Sequence, residues 1–167
     1  MKQPILYISL GTIISNKGFC KECIRAFKGK DLSVILNTGG IAPQKLGRIP
    51  DNLYAFSFVP QLEVLEHVDA FLTHCGMSSV NEAMAAGVPM IAMPFMNDQI
   101  GNVKRIVELG IGKRIKSFPS RSKEMYQTTM SVLKDEKMRE RSLHIQEALR
   151  DEMSLGFAID EIERLLS

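Results

Sequence analysis

Six short apolar runs, separated by helix-patterned segments and turns, restrict the fold of this chain more than any other feature. They are Ile5 to Leu10, Ser33 to Leu36, Tyr54 to Phe58, Ala70 to Thr73, Met90 to Met93 and a weaker Gly112 to Ile115. None alternates cleanly between apolar and polar residues, which is the pattern of strands covered on both faces. Helical patterns are predicted near Gly18 to Lys28, Ser79 to Ala86 and Gln99 to Leu109, and Gly110 follows the last as a helix-ending glycine would. Strands alternating with helices build right-handed βαβ units, so the predicted fold is α/β: a Rossmann-like, doubly wound parallel sheet of about six strands. From Arg121 onward the pattern is helical and charged. Leu149, Met153, Phe157, Ile159, Ile162 and Leu166 recur at near-helical spacing, and Gly156 predicts a bend or break among them.

A length of 167 residues, 45% of them hydrophobic, suits one domain, and no repeat, low-complexity stretch or linker divides it. The net charge of +2 with no like-charge run argues against nucleic acid or an acidic membrane surface as the partner. No apolar stretch is long enough to span a bilayer and the start runs straight into a strand pattern, so a cytoplasmic location is expected. Cys20 and Cys23 form a C-x-x-C on a predicted helix with no second ligand pair. With Cys75 they are expected to be reduced thiols and not a zinc or redox centre.

Residues 58 to 99 contain no Lys or Arg, although the chain has 21. An anion bound there must be held by other means. Within this stretch DAFLTHCGMSSVNEAM reads as strand, small-residue turn and helix, and open parallel sheets bind ligands beyond the carboxyl ends of their strands. Free N–H groups and the aligned dipoles of a helix start hold a phosphate without a cationic side chain. Gly76 permits close approach of the backbone, Ser78 and Ser79 supply hydroxyls, and His74 at the strand end can donate to a phosphate oxygen. The alternative is that Ser78 or Ser79 simply caps the helix and His74 is an ordinary strand-end histidine. Glu82, one turn into the helix, points along the same face, where a carboxylate can accept from both hydroxyls of a ribose; alternatively it only complements the helix dipole.

The segment resembles the donor-binding signature of family 1 glycosyltransferases, enzymes of the two-domain GT-B fold. The residues that carry the likeness are Val59-Pro60-Gln61, His67, Phe71-Leu72-Thr73-His74-Cys75-Gly76, Glu82, Gly87-Val88-Pro89, Pro94 and Asp98-Gln99. Phe58 stands where the family usually has Trp, Met77-Ser78-Ser79 replaces the plant W-N-S, and the stretch from His67 to His74 is two residues shorter than the plant form. These details, and the continuation from Asn97 to Gly112, are similar to bacterial macrolide-type members.

The resemblance implies a UDP-binding set of Thr12, Phe58, Val59, Gln61, His74, Gly76, Met77, Ser78, Ser79 and Glu82. Phe58 and Gln61 would lie at the base, Thr12, His74 and the Gly76 to Ser79 turn at the diphosphate, and Glu82 at the ribose. Asp98 and Gln99 would take hydroxyls of the sugar, unless Asp98 merely N-caps the helix from Gln99. The implied donor is UDP-glucose, with no metal and no further cofactor. The family is about twice this length, and its N-terminal, acceptor-binding half carries the catalytic base. Residues 1–167 are therefore expected to be a single donor domain, cut from a longer chain or acting as a natural half-enzyme with a partner subunit. Transfer of a hexose to a hydroxyl of a small molecule is the implied reaction, and the alternative is a non-catalytic nucleotide-sugar-binding module. An NAD-type dinucleotide fold is excluded because Gly11 is followed by Thr-Ile-Ile-Ser-Asn and no G-x-G-x-x-G closes the first strand.

Overall fold

Leu6, Tyr7 and Ile8 are consecutive in sequence and all three are fully buried, so both faces of their strand are covered. The computed structural model describes residues 3–11, 16–115, 122–152 and 164. Its six strands are β1 (Ile5–Ser9), β2 (Ser33–Asn37), β3 (Leu53–Phe56), β4 (Ala70–Thr73), β5 (Met90–Ala92) and β6 (Gly112–Arg114). All pair in parallel in the order β3-β2-β1-β4-β5-β6, the Rossmann order, with the chain reversing direction across the sheet between β1 and β4. The doubly wound parallel sheet expected from the strand and helix pattern is the one observed.

One face packs Leu6, Ile8, Val34, Leu36 and Ile91 against helices α1 (Lys17–Phe27) and α5 (Ser122–Leu133). Cys20 and Cys23 lie in that layer on the inward face of α1. The other face packs Tyr7, Phe71, Met90 and Ala92 against α2 (Gln61–Leu65), α3 (Met77–Ala85) and α4 (Asn97–Glu108). The last described helix, α6 (Glu136–Glu152), lies across the helix ends: Arg141 donates to the Gly110 carbonyl at 3.0 Å and Gln146 to the Ala85 carbonyl at 3.1 Å. These bonds satisfy carbonyls that the ends of α4 and α3 leave without an intrahelical donor. A shallow groove of about 410 Å³ beneath α6, lined by Asp69, Pro89, Arg139 and Gln146 among others, lies at the amino ends of the strands, away from the turn that follows β4.

The helix starts differ from those expected. α3 begins at Met77 and α4 at Asn97, two residues before the predicted Ser79 and Gln99, because backbone geometry puts Gly76 and Met96 at the cap positions. The third strand ends at Phe56, not Phe58. α2 was not predicted: five residues following Pro60 are too few to show a helical period. Asp135 separates α5 from α6 and accepts from the Met138 N–H at 3.1 Å. The predicted bend near Gly156 lies outside the described residues.

All three cysteines are free and buried. Desolvation pushes the Cys20 thiol up to about 11 and the Cys75 thiol up to about 12, and Cys23 rises as well. A thiol with a raised native pKa holds its proton where the unfolded chain has lost it. Its contribution to stability is therefore complete below the unfolded value of about 9 and declines as pH rises through the native values. Two outcomes are expected: a disulfide-exchange reagent at pH 8 titrates all three thiols only in denaturant, and the unfolding midpoint falls steadily above pH 9. A thiol that reacts in the native protein would show that the layer holding it is open.

Candidate functional site

The parallel register Ser9↔Thr73 sets the residues after β1 beside those after β4 at the point where the strand order reverses. Leu10 and Gly11 thus face the turn His74-Cys75-Gly76. The imidazole of His74 fills the space between two glycines: a Cβ on Gly11 would stand 2.9 Å from its Cε1, and a Cβ on Gly76 would stand 2.5 Å from its Nε2. Both contacts are shorter than real Cβ contacts allow. Gly11 is also held at φ +74, whereas Gly76, at φ −61 and ψ 144, has a backbone any residue adopts. Gly76 is required for the room it leaves and Gly11 for both reasons.

Between them Cys75 takes φ +66, the one non-glycine residue in the left-handed region among those described. Such a conformation costs on the order of 1–2 kcal/mol and persists where its surroundings hold it. Here the Cys75 N–H donates to Thr73 Oγ1 at 3.1 Å, and Asn102 of α4 donates to the Cys75 carbonyl at 2.9 Å. The turn is thereby tied to the strand before it and to the next helix.

The turn delivers the chain into α3 with Gly76 as N-cap, no side-chain cap and no acidic residue in the first turn. Ser78 and Ser79 are inside the helix, which removes the reading of either as its cap. Ser78 is exposed and Ser79 is buried. One turn on, the Glu82 carboxylate accepts from Gln61 Nε2 at 2.6 Å, and the same nitrogen lies 3.2 Å from Ser79 Oγ. Gln61, from the start of α2, is tied at its other end by the Tyr7 hydroxyl, which donates to its Oε1 at 3.3 Å. Tyr7, Gln61, Ser79 and Glu82 thus form one hydrogen-bonded group beside the start of α3.

Phe58 and Met77 are 70% and 59% exposed at the same end of the sheet, giving the site a bare apolar rim. The Val59 side chain is buried in the core, so any contact it makes with a ligand runs through its main chain. Asp98 lies by its backbone inside the first turn of α4 and Met96 holds the cap position, so Asp98 is not the N-cap. Gln99 is 4% exposed, and its Oε1 accepts from the N–H groups of Phe95 and Met96 at 2.8 and 3.1 Å. Its acceptor is thus engaged with its own loop. Thr12 lies outside the described residues. Among the described residues no group of three His, Cys, Asp or Glu could hold a metal ion, and no helix is long and apolar enough to cross a membrane.

Two contributors were not identified from the sequence. Tyr7 reads there as one more apolar residue of a strand, set apart only by its phenol. Asn102 belongs to the continuation from Asn97 to Gly112 that the resemblance covers, but its bond to the Cys75 carbonyl depends on how α4 packs.

Residues 2–153 match the family described as UDP-glucoronosyl and UDP-glucosyl transferase. The NDP-glycosyltransferase YjiC of Bacillus subtilis (strain 168) is 35% identical over 166 residues, which are 98% of this chain and 42% of that protein. Demethyllactenocin mycarosyltransferase of Streptomyces fradiae is 32% identical over 99% of this chain and 36% of its own length. The crystal structure of CalG4, the calicheamicin glycosyltransferase, superposes with a TM-score of 0.90 at 31% identity, covering 98% of this chain and 43% of the other. The chain therefore spans about two fifths of the length of the proteins it matches.

The two glycines are separable by substitution. Gly76→Ala should leave the unfolding midpoint nearly unchanged while displacing the His74 ring, seen as altered imidazole resonances in long-range proton–nitrogen spectra. Gly11→Ala should move the same resonances and in addition cost about 1 kcal/mol or more of stability, because the backbone there is left-handed. Unchanged His74 resonances in both variants would refute the sandwich.

Proposed function

The chain belongs to the UDP-glucoronosyl and UDP-glucosyl transferase family, and on that premise we propose that it is the C-terminal, donor-binding half of an inverting glycosyltransferase. Its ligand in this reading is a UDP-sugar, with a hexose passed to a hydroxyl of a small-molecule acceptor. The observation that carries it is the hydrogen-bonded group of Gln61, Ser79 and Glu82 set against the uncapped start of α3.

A diphosphate at that helix start meets backbone N–H groups and the positive end of the peptide dipoles, with His74 beside them. Glu82, an acceptor with two oxygens, is spaced one turn away to take the ribose hydroxyls, and the exposed face of Phe58 suits a flat base. Asp98 and the Gln99 amide nitrogen, at the start of α4, are assigned to the sugar. The names of the relatives, which include a mycarosyltransferase and a calicheamicin glycosyltransferase, support transfer to a small molecule.

In the reaction the acceptor oxygen forms a bond to the anomeric carbon while the bond from that carbon to the diphosphate breaks. UDP leaves with the electron pair, and the acceptor proton passes to a base assigned to the other half of the enzyme. This half contributes donors already aimed at the charge that grows on the departing diphosphate. Such donors need no rearrangement during the step, which is where electrostatic catalysis is strongest. The isolated chain is accordingly expected to bind UDP without transferring a sugar.

Calorimetric titration of this chain with UDP and with pyrophosphate tests the reading. UDP should bind, and Glu82→Ala should weaken it about 10- to 150-fold, the range for a hydrogen bond to a charged group, with pyrophosphate little affected. Equal loss for both ligands would assign Glu82 to helix stability. A folded sample giving no heat with millimolar UDP would remove the nucleotide from the site altogether.

A further inference from the structure

Beneath the proposed ribose site lies a phenol to which the family resemblance gives no role. Tyr7 occupies the middle of β1, is fully buried, and stacks on Phe71 of β4 with ring centroids 4.9 Å apart and an interplanar angle of 12°. Stacking and burial fix the ring, so the hydroxyl is a fixed point. If the position served packing alone, phenylalanine would suffice, and a buried hydroxyl costs free energy unless it is bonded. It donates to Gln61 Oε1 at 3.3 Å. Ser9 and Asn37 also face the phenol from β1 and β2, and burial pushes its pKa above the usual value, keeping the hydroxyl protonated as a donor.

Gln61 needs such an anchor. It stands at the first position of a five-residue helix that starts after Pro60 without a side-chain cap, and its long side chain is only partly buried. An untethered glutamine of this kind samples several rotamers, and ordering it on binding would cost affinity. The acceptor end is held by Tyr7, which leaves the two amide hydrogens for Ser79 and Glu82. Turning the amide over would set its oxygen against the Glu82 carboxylate, so one orientation alone satisfies the group.

We propose that Tyr7 is a positioning residue for nucleotide binding: its buried hydroxyl holds the Gln61 amide in the orientation that fixes the Glu82 carboxylate before the ligand arrives. The proposal rests on the reading of Glu82 as the ribose acceptor and adds to it a group that the ligand does not touch. Discrimination between a nucleotide and a bare diphosphate then depends on a side chain at the centre of the sheet.

Tyr7→Phe keeps the ring and its stacking while removing only the hydroxyl. Measured by calorimetry, it should weaken UDP about three- to tenfold, the range of one neutral hydrogen bond, and leave pyrophosphate unchanged. The double variant Tyr7→Phe, Glu82→Ala should bind UDP no more weakly than Glu82→Ala alone, since the hydroxyl acts through the carboxylate. Additive losses, or wild-type UDP affinity in Tyr7→Phe, would overturn the proposal. A nucleotide-free readout separates it from the donor assignment: the Gln61 side-chain amide resonances should move toward free-glutamine positions in Tyr7→Phe, and unchanged resonances overturn the proposal even where UDP does not bind. Should Tyr7→Phe fail to fold, Gln61→Met removes the amide that the hydroxyl holds. It should produce the same UDP-selective loss, and an equal loss of pyrophosphate there counts against the proposal.

Discussion

The register between β1 and β4 is the constraint on which the rest of this molecule depends. These strands are central neighbours, and pairing Ser9 with Thr73 brings the loop after one and the turn after the other into contact. Everything at that end of the sheet follows from the shared space: two glycines around one imidazole, a strained Cys75 and a helix start with no side-chain cap. A slip of one residue would turn every side chain of β1 to the opposite face and send Tyr7 out of the polar group it anchors.

That polar group lies at the edge of a layer that is otherwise apolar. Tyr7, Ser9 and Asn37 face the same side of the sheet as Phe71 and Met90, and all three are buried or nearly so. They are tolerated because they bond one another and the loops: Asn37 Nδ2 lies 3.5 Å from Ser9 Oγ, and that oxygen accepts from the Gly11 N–H at 3.2 Å. A buried network specifies one arrangement when its members are paired, since the cost of breaking it rises in a low-dielectric interior. The tyrosine under Gln61 and the serine under Gly11 thus connect the strand interior to both loops of the site. In the proposed reading, ribose and diphosphate are recognised by groups that a single strand organises.

The electrostatic design is economical in charge. Residues 58 to 99 hold no Lys or Arg, so in the proposed reading the diphosphate at the start of α3 is held by backbone donors and His74. Backbone donors lose no side-chain entropy on binding and fix direction as well as sign. The exposed Phe58 and Met77 border that site at the carboxyl ends of the strands. In the proposed reading that rim is where the other half of the enzyme would meet this one.

The sequence determined the layer architecture, because covered parallel strands must be apolar throughout and their spacing must admit a helix between them. It also carries a signature that marks the family, and a strand, a small-residue turn and a helix with Gly76, Ser79 and Glu82 at readable offsets, the segment to which the proposed reading assigns the ligand. It did not show the five-residue helix at Gln61, too short to express a period, or the true starts of α3 and α4, which depend on backbone angles at Gly76 and Met96. Only the tertiary structure decided which residues meet. Tyr7 and Gln61 are 54 positions apart, and Asn102 reaches Cys75 across 27. No local pattern encodes such pairs, because they are fixed by strand order and register, and those emerge only when the whole sheet is assembled.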